Sequence, residues 1–288
     1  MLDQGIKKEK TKNILSKIYN LPALPFIIEE VNQIIENPKS SAAQLSQVIS
    51  QDPGLSIKIL SVANSPLYGF PRRVSTIDFA IIILGFNHIK NITIAFSIMD
   101  TFNNFRNLHF DQRKFWLHSI MTATAAKRLS ADLGYRFGGE AFTAGLLHDL
   151  GIPVICKYFG SSFVDIINSV DLEGVTYEYA EERILGATHK EIGNYLIEKW
   201  NLPQTFADVI LYHHMPSDSE ENPILASIVH LADYMTNYLT CGEYEWDTNF
   251  ILDKNILEIL NLGNDEYFES FVQSYKELFQ NQLESIIF

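Results

Sequence analysis

Cysteine is almost missing from this chain. Cys156 and Cys241 stand far apart with no CxxC spacing, which excludes a disulfide framework and a thiolate zinc site and fits a reducing compartment. Long apolar runs are missing too. The longest, FAIIILGF at 79–86, falls far short of the roughly 18 residues that a membrane span needs. The N-terminal MLDQGIKKEK has no apolar signal core. These absences predict a soluble, unprocessed, cytoplasmic protein that does not contact a membrane. Positive charge is in deficit, with 22 Lys+Arg against 35 Asp+Glu and a net charge of −13. Such a surface repels polyanions, so no nucleic-acid partner is expected. Alternating strand patterns, Asn-Gly turns, internal repeats and low-complexity tracts are also scarce or lacking.

What remains is helical. Apolar residues make up 47% of the chain and charged residues 20%, enough for one large core. They recur at three- and four-residue spacing, which predicts an all-α fold. A frayed start over 1–12 gives way to a first helical half over 13–108. Within it LPALP at 21–25 breaks the pattern, Ile27, Val31, Ile34 and Ile35 form a stripe, and Asn37-Pro38 ends it. Asp52-Pro53-Gly54 and Ser65-Pro66 mark further breaks. Residues 75–98 read as one or two buried helices around Gly85. The polar stretch at 101–112 looks like a hinge to a second half over 109–288.

The second half carries the histidines. His118 shares an apolar face with Phe115, Thr122, Ala125 and Leu129. His148 and Asp149 sit side by side in AGLLHDLG, with Gly151 read as a helix C-cap. Thr188 and Glu191 have capping-box form, placing His189 in a first turn that points inward with Ile192, Gly193, Leu196 and Trp200. His213 and His214 close QTFADVILYHH, and Asp233 edges the stripe of Ile224, Ile228, Leu231 and Met235. His230, one turn back, reads as a neighbour of the site or as surface. Each has a plain alternative: a hydrogen-bonded core histidine, an Asp149 paired with arginine, a solvated pair at a helix dipole. Five helices that each deliver His or Asp to an inward face are explained together by one metal site. Imidazole and carboxylate without thiolate suit Fe, Mn, Zn, Ni or Co, and a bridging aspartate lets histidines hold two ions about 3.5 to 4 Å apart.

The order His118, His148-Asp149, Asp233 resembles the signature of the HD superfamily of metal-dependent phosphohydrolases. His189, His213 and His214 extend it to the HD-GYP branch, where extra histidines hold a second metal. LPALP, DPGLSIKILSVANSPLYGF (52–70), STIDFAIIILG (75–85), LLHDLG (146–151), THKEIGNYLIEKWNLP (188–203) and HLAD (230–233) are similar to the HDOD domain, the related output domain of bacterial signalling proteins. That resemblance implies an HDOD-specific N-terminal helical bundle packed on an HD-like helical core, and a divalent metal, one or two ions. It implies a signal-transduction module that acts on a protein partner such as a kinase or response regulator. The alternative it carries is a phosphohydrolase acting on a nucleotide or phosphoester, with His148 and Asp149 serving a metal-activated water.

The chain departs from the enzymatic pattern in two places. Ile152 replaces the phosphate-binding lysine of HDxGK, and HHMPSDSEENP replaces HHExxxGxGYP, bringing Asp218, Glu220 and Glu221 where a phosphate needs positive charge. The basic residues that would decide the matter by lining the site are Lys127, Arg128, Lys157, Arg183 and Lys190. In VANSPLYGF, Asn64, Pro66 and Gly69 predict a tight turn with Tyr68 and Phe70 packed down rather than a docking surface.

Overall fold

The computed structural model describes residues 9, 12–16, 25–37, 39–102, 109–240 and 251–285. Among them there is no strand. Residues 1–8, 21–24, 103–108 and Cys241, and with them most of the expected frayed start, the LPAL of LPALP and the centre of the expected hinge, lie outside the described residues.

Local chemistry sets the helix starts. In the first half run α1 (Phe26–Glu36), α2 (Ala42–Ile49), α3 (Pro53–Ala63), α4 (Ile77–Leu84) and α5 (Phe86–Thr101). Ser41 and Gln44 form a reciprocal capping box at α2, and Asp52 accepts from the Leu55 amide with Pro53 at the first helical position of α3, each filling donors a helix start leaves orphaned. Helices α4 and α5 are two elements, bent by 118° at Gly85, so the apolar 75–98 stretch folds back on itself. No single described helix is long and apolar enough to cross a membrane.

The second half contains α6 (Gln112–Asp132), α7 (Gly138–Leu147), α8 (Gly151–Tyr158), α9 (Gly160–Glu173), α10 (Tyr177–Ile184), α11 (His189–Lys199), α12 (Gln204–Tyr212) and α13 (Pro223–Leu239). Three short helices follow: α14 (Ile256–Ile259), α15 (Asp265–Gln273) and α16 (Lys276–Ser285). Helix α6 is the spine, capped by Asp111 accepting from the Arg113 and Lys114 amides and packed along both α7 and α13. Its contact with α7 is close because Gly145 has no side chain: a Cβ there would stand 2.9 Å from Ala123 Cα, tighter than packed interiors allow.

One continuous core joins the two halves. Phe102 meets Trp200 across it, and Phe110 packs on Phe115 and Phe163, so one aromatic residue at each described end of the expected hinge is buried, while His109 and Asp111 are exposed. Helix α16 returns to the first half, where Gln282 hydrogen-bonds Ser65 of the ANSPLYG turn. That turn is a short 3-10 helix over Pro66–Tyr68. Leu67 is buried and the Tyr68 hydroxyl meets His88 Nε2 at 2.6 Å, as a packed turn requires. Phe70 departs from the expectation and is exposed, because Tyr68 already occupies the space over His88 and Phe142.

Candidate metal centre

Five helical elements converge at the centre of the second half. His118 comes from the middle of α6 and Asp233 from the middle of α13. The two helices are tied one turn away by the Thr122 hydroxyl donating to Thr236 Oγ1 at 3.2 Å. His148 follows the last residue of α7, and Asp149 occupies the corner before α8. His189 opens α11, while His213 and His214 follow the end of α12. His118, His148, Asp149, His189, His213 and Asp233 are all buried, and His214 is nearly so.

Gly151 is what allows the corner to meet α11. It is not the C-cap its position suggests: it is the first residue of α8, and its φ is not among the positive ones. A Cβ there would lie 2.0 Å from the His189 carbonyl oxygen, an impossible overlap, so only glycine lets the HD corner and the start of α11 touch.

The ring orientations are set from outside the cluster. His148 Nδ1 faces the Gly145 carbonyl at 2.7 Å and His213 Nδ1 faces the Ile210 carbonyl at 2.7 Å. A carbonyl only accepts, so both Nδ1 atoms carry a hydrogen, which turns both Nε2 atoms towards the centre. His189 Nδ1 donates to Glu181, whose oxygens lie at 2.8 and 3.0 Å. Outer partners that fix the tautomer in this way are what metal-ligating histidines require.

The Nε2 atoms then converge on Asp149. Its Oδ2 lies 3.1 Å from His148 Nε2 and 3.9 Å from His118 Nε2. Its Oδ1 lies 3.4 Å from His213 Nε2 and 3.6 Å from His189 Nε2. His214 Nε2 approaches His189 Nε2 at 3.2 Å, and Asp233 Oδ1 approaches His118 Nε2 at 2.9 Å. His213 Nε2 is buried and makes no hydrogen bond among the described residues. A neutral imidazole lone pair aimed at a carboxylate oxygen is two acceptors face to face, which is unfavourable without a cation between them.

Two donor groups fit that requirement. His118, His148 and Asp149 bring ligand atoms within 4.8 Å of one another, and so do Asp149, His189, His213 and His214. Asp149 belongs to both, one oxygen to each. The nitrogen and oxygen donors without sulfur suit a divalent metal. Among the described residues no arginine pairs with Asp149, and its ion-pair partners there are all histidines.

The electrostatics agree. Burial opposes charge on His148, but Asp149 and Asp233 outweigh it and raise its pKa to about 9. Burial likewise opposes charge on His189, and Glu181 outweighs it, again to about 9. Burial pushes His213 down to about 4 and His214 well below its ordinary value. Asp149 and Asp233 stay ionised against burial because His148 faces both. Carboxylate charge in the metal-free protein is thus met by protons on His148 and His189, which a bound cation would replace.

Two supporting residues complete the centre. His230 is fully buried rather than at the surface, its Nδ1 facing the His213 carbonyl at 2.7 Å and its Nε2 accepting from the Asp253 amide at 2.9 Å. Glu181 was not anticipated. It is buried, and besides His189 Nδ1 it accepts from the His189 amide at 2.8 Å. Its signal was present, because Tyr177, Ala180 and Glu181 fall at i, i+3 and i+4 on the inward face of α10. Beside it, Glu178 pairs with Lys190 and lies 4.0 Å from His214 Nε2.

Known proteins share this architecture. A protein of Treponema pallidum (strain Nichols) is 23% identical over 280 residues, 96% of this chain and 53% of its own length, so the chain spans about half of that relative. An HDOD domain protein of unknown function from Geobacter sulfurreducens superposes with a TM-score of 0.79 at 25% identity, covering 99% of both chains. A protein from Shewanella amazonensis SB2B, provisionally named a phosphohydrolase, superposes with a TM-score of 0.70 at 24% identity, covering 95% of this chain and 98% of its own. The HDOD domain family itself matches residues 21–216. The chain belongs to the HDOD domain family.

Proposed function

We propose that this protein is an HDOD signalling module that holds divalent metal and acts by binding a protein partner, such as a kinase or response regulator. His118, His148, Asp149 and Asp233 would hold one ion, and Asp149, His189, His213 and His214 would hold a second. The metal, when bound, supplies concentrated positive charge that neutralises the buried carboxylates and polarises a phosphoryl oxygen if one reaches it.

One observation favours a partner over a phosphate substrate: the basic side chains that would receive phosphate are engaged elsewhere. Lys190 pairs with Glu178, Arg183 with Glu173 and Arg128 with Asp132. Lys157 donates to the Thr101 carbonyl and lies over the Phe102 and Tyr158 rings. Lys127 lies over the Tyr68 ring. Ile152, where the enzymatic pattern has lysine, is buried. A dianionic substrate at this centre meets Glu178 and Glu181 with Lys190 already neutralised, which does not favour binding.

The phosphohydrolase reading keeps a specific support, since every ligand position of the two-metal pattern is filled and brought together. Hydrolysis assays separate the two. Metal-loaded protein is expected to release no product from bis(p-nitrophenyl) phosphate, cyclic dinucleotides or nucleoside phosphates above the level of a His148→Ala variant. Turnover that the variant loses overturns the signalling reading in favour of the enzyme.

A further inference from the structure

The exposed Phe70 belongs to a recess that the metal centre does not use. Asn64, Ser65, Phe70, Pro71, Arg72 and Arg73 line it, with a volume of about 360 Å³. Three properties distinguish it. First, it is cationic in an acidic molecule. The chain carries −13, yet Arg72 and Arg73 are adjacent, exposed and without a carboxylate at ion-pair distance among the described residues. Arg128 and Arg183, by contrast, each hold an acid.

Second, its mostly polar lining includes one exposed aromatic ring. Phe70 is 38% exposed with its ring 6.0 Å from that of Tyr68. Ile57, 66% exposed, lies two turns before Asn64 on the same face of α3 and its cap. Third, its rim offers backbone. Asn64 pins Val74 from the inside, accepting from the Val74 amide and donating to the Val74 carbonyl, both at 2.7 Å. The amides and carbonyls of Arg72, Arg73 and Ser75 make no hydrogen bond to other described residues. Backbone donors and acceptors left open beside such a staple are available to the main chain of a ligand.

We propose that the recess at Phe70–Arg73 docks an acidic peptide segment of a partner protein. Carboxylates of the segment meet Arg72 and Arg73, one apolar side chain lies against Phe70, and its main chain bonds the free groups beside Val74. Charge selects an acidic ligand, and the free backbone selects a peptide over a nucleotide. The proposal rests on the partner-binding reading and gives that reading a surface.

The test uses the full chain and fluorescein-labelled acidic peptides, each with a single Leu, Ile or Phe among Asp and Glu, read by anisotropy. At least one peptide is expected to bind in a salt-sensitive way and to weaken by about tenfold or more in Arg72→Glu/Arg73→Glu and in Phe70→Ser. These positions are exposed, and far-UV circular dichroism and metal content are expected to match wild type. No binding, or binding unchanged in both variants, overturns the proposal. So does adenosine triphosphate binding with the same dependence, which makes the recess a phosphate site. A dimer in sedimentation that the charge reversal dissolves also overturns it, since the occupant is then a second copy. Hydrolysis assays on the same preparations keep the two claims apart: turnover with docking intact removes the signalling reading and leaves the surface, while lost docking without turnover does the reverse.

Discussion

At the scale of single residues, the centre depends on side chains that touch no metal. Glu181 fixes the His189 ring through Nδ1 and the start of α11 through the amide. Replacing it with Gln keeps one acceptor and loses the charge, and replacing it with Ala loses both. Outer partners of this kind are worth about 10- to 100-fold in metal affinity. Glu181→Ala is expected to lose affinity in that range at the second ion only, and Glu181→Gln less, as read by competition with a metallochromic chelator. Gly151→Ala is expected to do something different. Its methyl group needs the space of the His189 carbonyl, so α8 or α11 must move, and the variant is expected to lose second-ion binding along with several kcal/mol of stability, on the order of the larger single-mutant effects. Protons compete for the same nitrogens. His148 and His189 hold theirs up to about pH 9 in the metal-free protein, so apparent metal affinity is expected to rise from pH 7 to about 9 and level off above it. Calorimetry in buffers of different ionisation enthalpy reads the released protons.

At the scale of elements, the sequence revealed most of what positions the site. Asp149 sits in a three-residue corner between two helices, yet it was readable because a buried carboxylate needs a partner. His189 was readable because Thr188 and Glu191 announced a helix start, and the structure has that capping box with both hydrogen bonds. Thr188→Ala is expected to cost about 1 kcal/mol in chemical denaturation, the usual worth of such a cap, and to weaken metal binding because the cap aims His189. What the sequence hid lies in contacts between residues far apart in the chain or in competition for space. Gly151 reads as a cap from its neighbours, but its role is set by a contact with residue 189 that no local pattern contains. Phe70 reads as packed from its composition, but the space belongs to Tyr68. His230 was placed beside the site without its partners, since Asp253 reaches it from beyond α13.

At the scale of the whole molecule, metal and fold are one equilibrium. Ligand that binds only the folded state stabilises by about 2.7 kcal/mol at a hundredfold excess over its Kd, so thermal midpoints are expected to climb with free metal in wild type and not in Asp149→Ala. The pH dependence has a definite sign. Folded pKa values of about 9 for His148 and His189 stand above the unfolded value of about 6.5. The stability they contribute to the metal-free protein is therefore complete below about pH 6.5 and lost as pH rises through about 9. His213, depressed to about 4, contributes in the opposite sense, and its share is lost as pH falls from about 6.5 through about 4. Metal-free protein is expected to melt at lower temperature on both sides of neutrality, and metal-loaded protein to lose the alkaline limb. The acidic surface, the buried centre and the cationic recess at Phe70 are separable by mutation because no residue serves two of them.

The central claim is that Asp149 joins two metal sites in one buried centre. Elemental analysis of protein purified without chelator or histidine tag tests it most directly. The account predicts about two equivalents of divalent metal in wild type, about one in His118→Ala and in His189→Ala, and close to none in Asp149→Ala. Wild-type protein that holds no metal after reconstitution, or variants that hold as much as wild type, would contradict it.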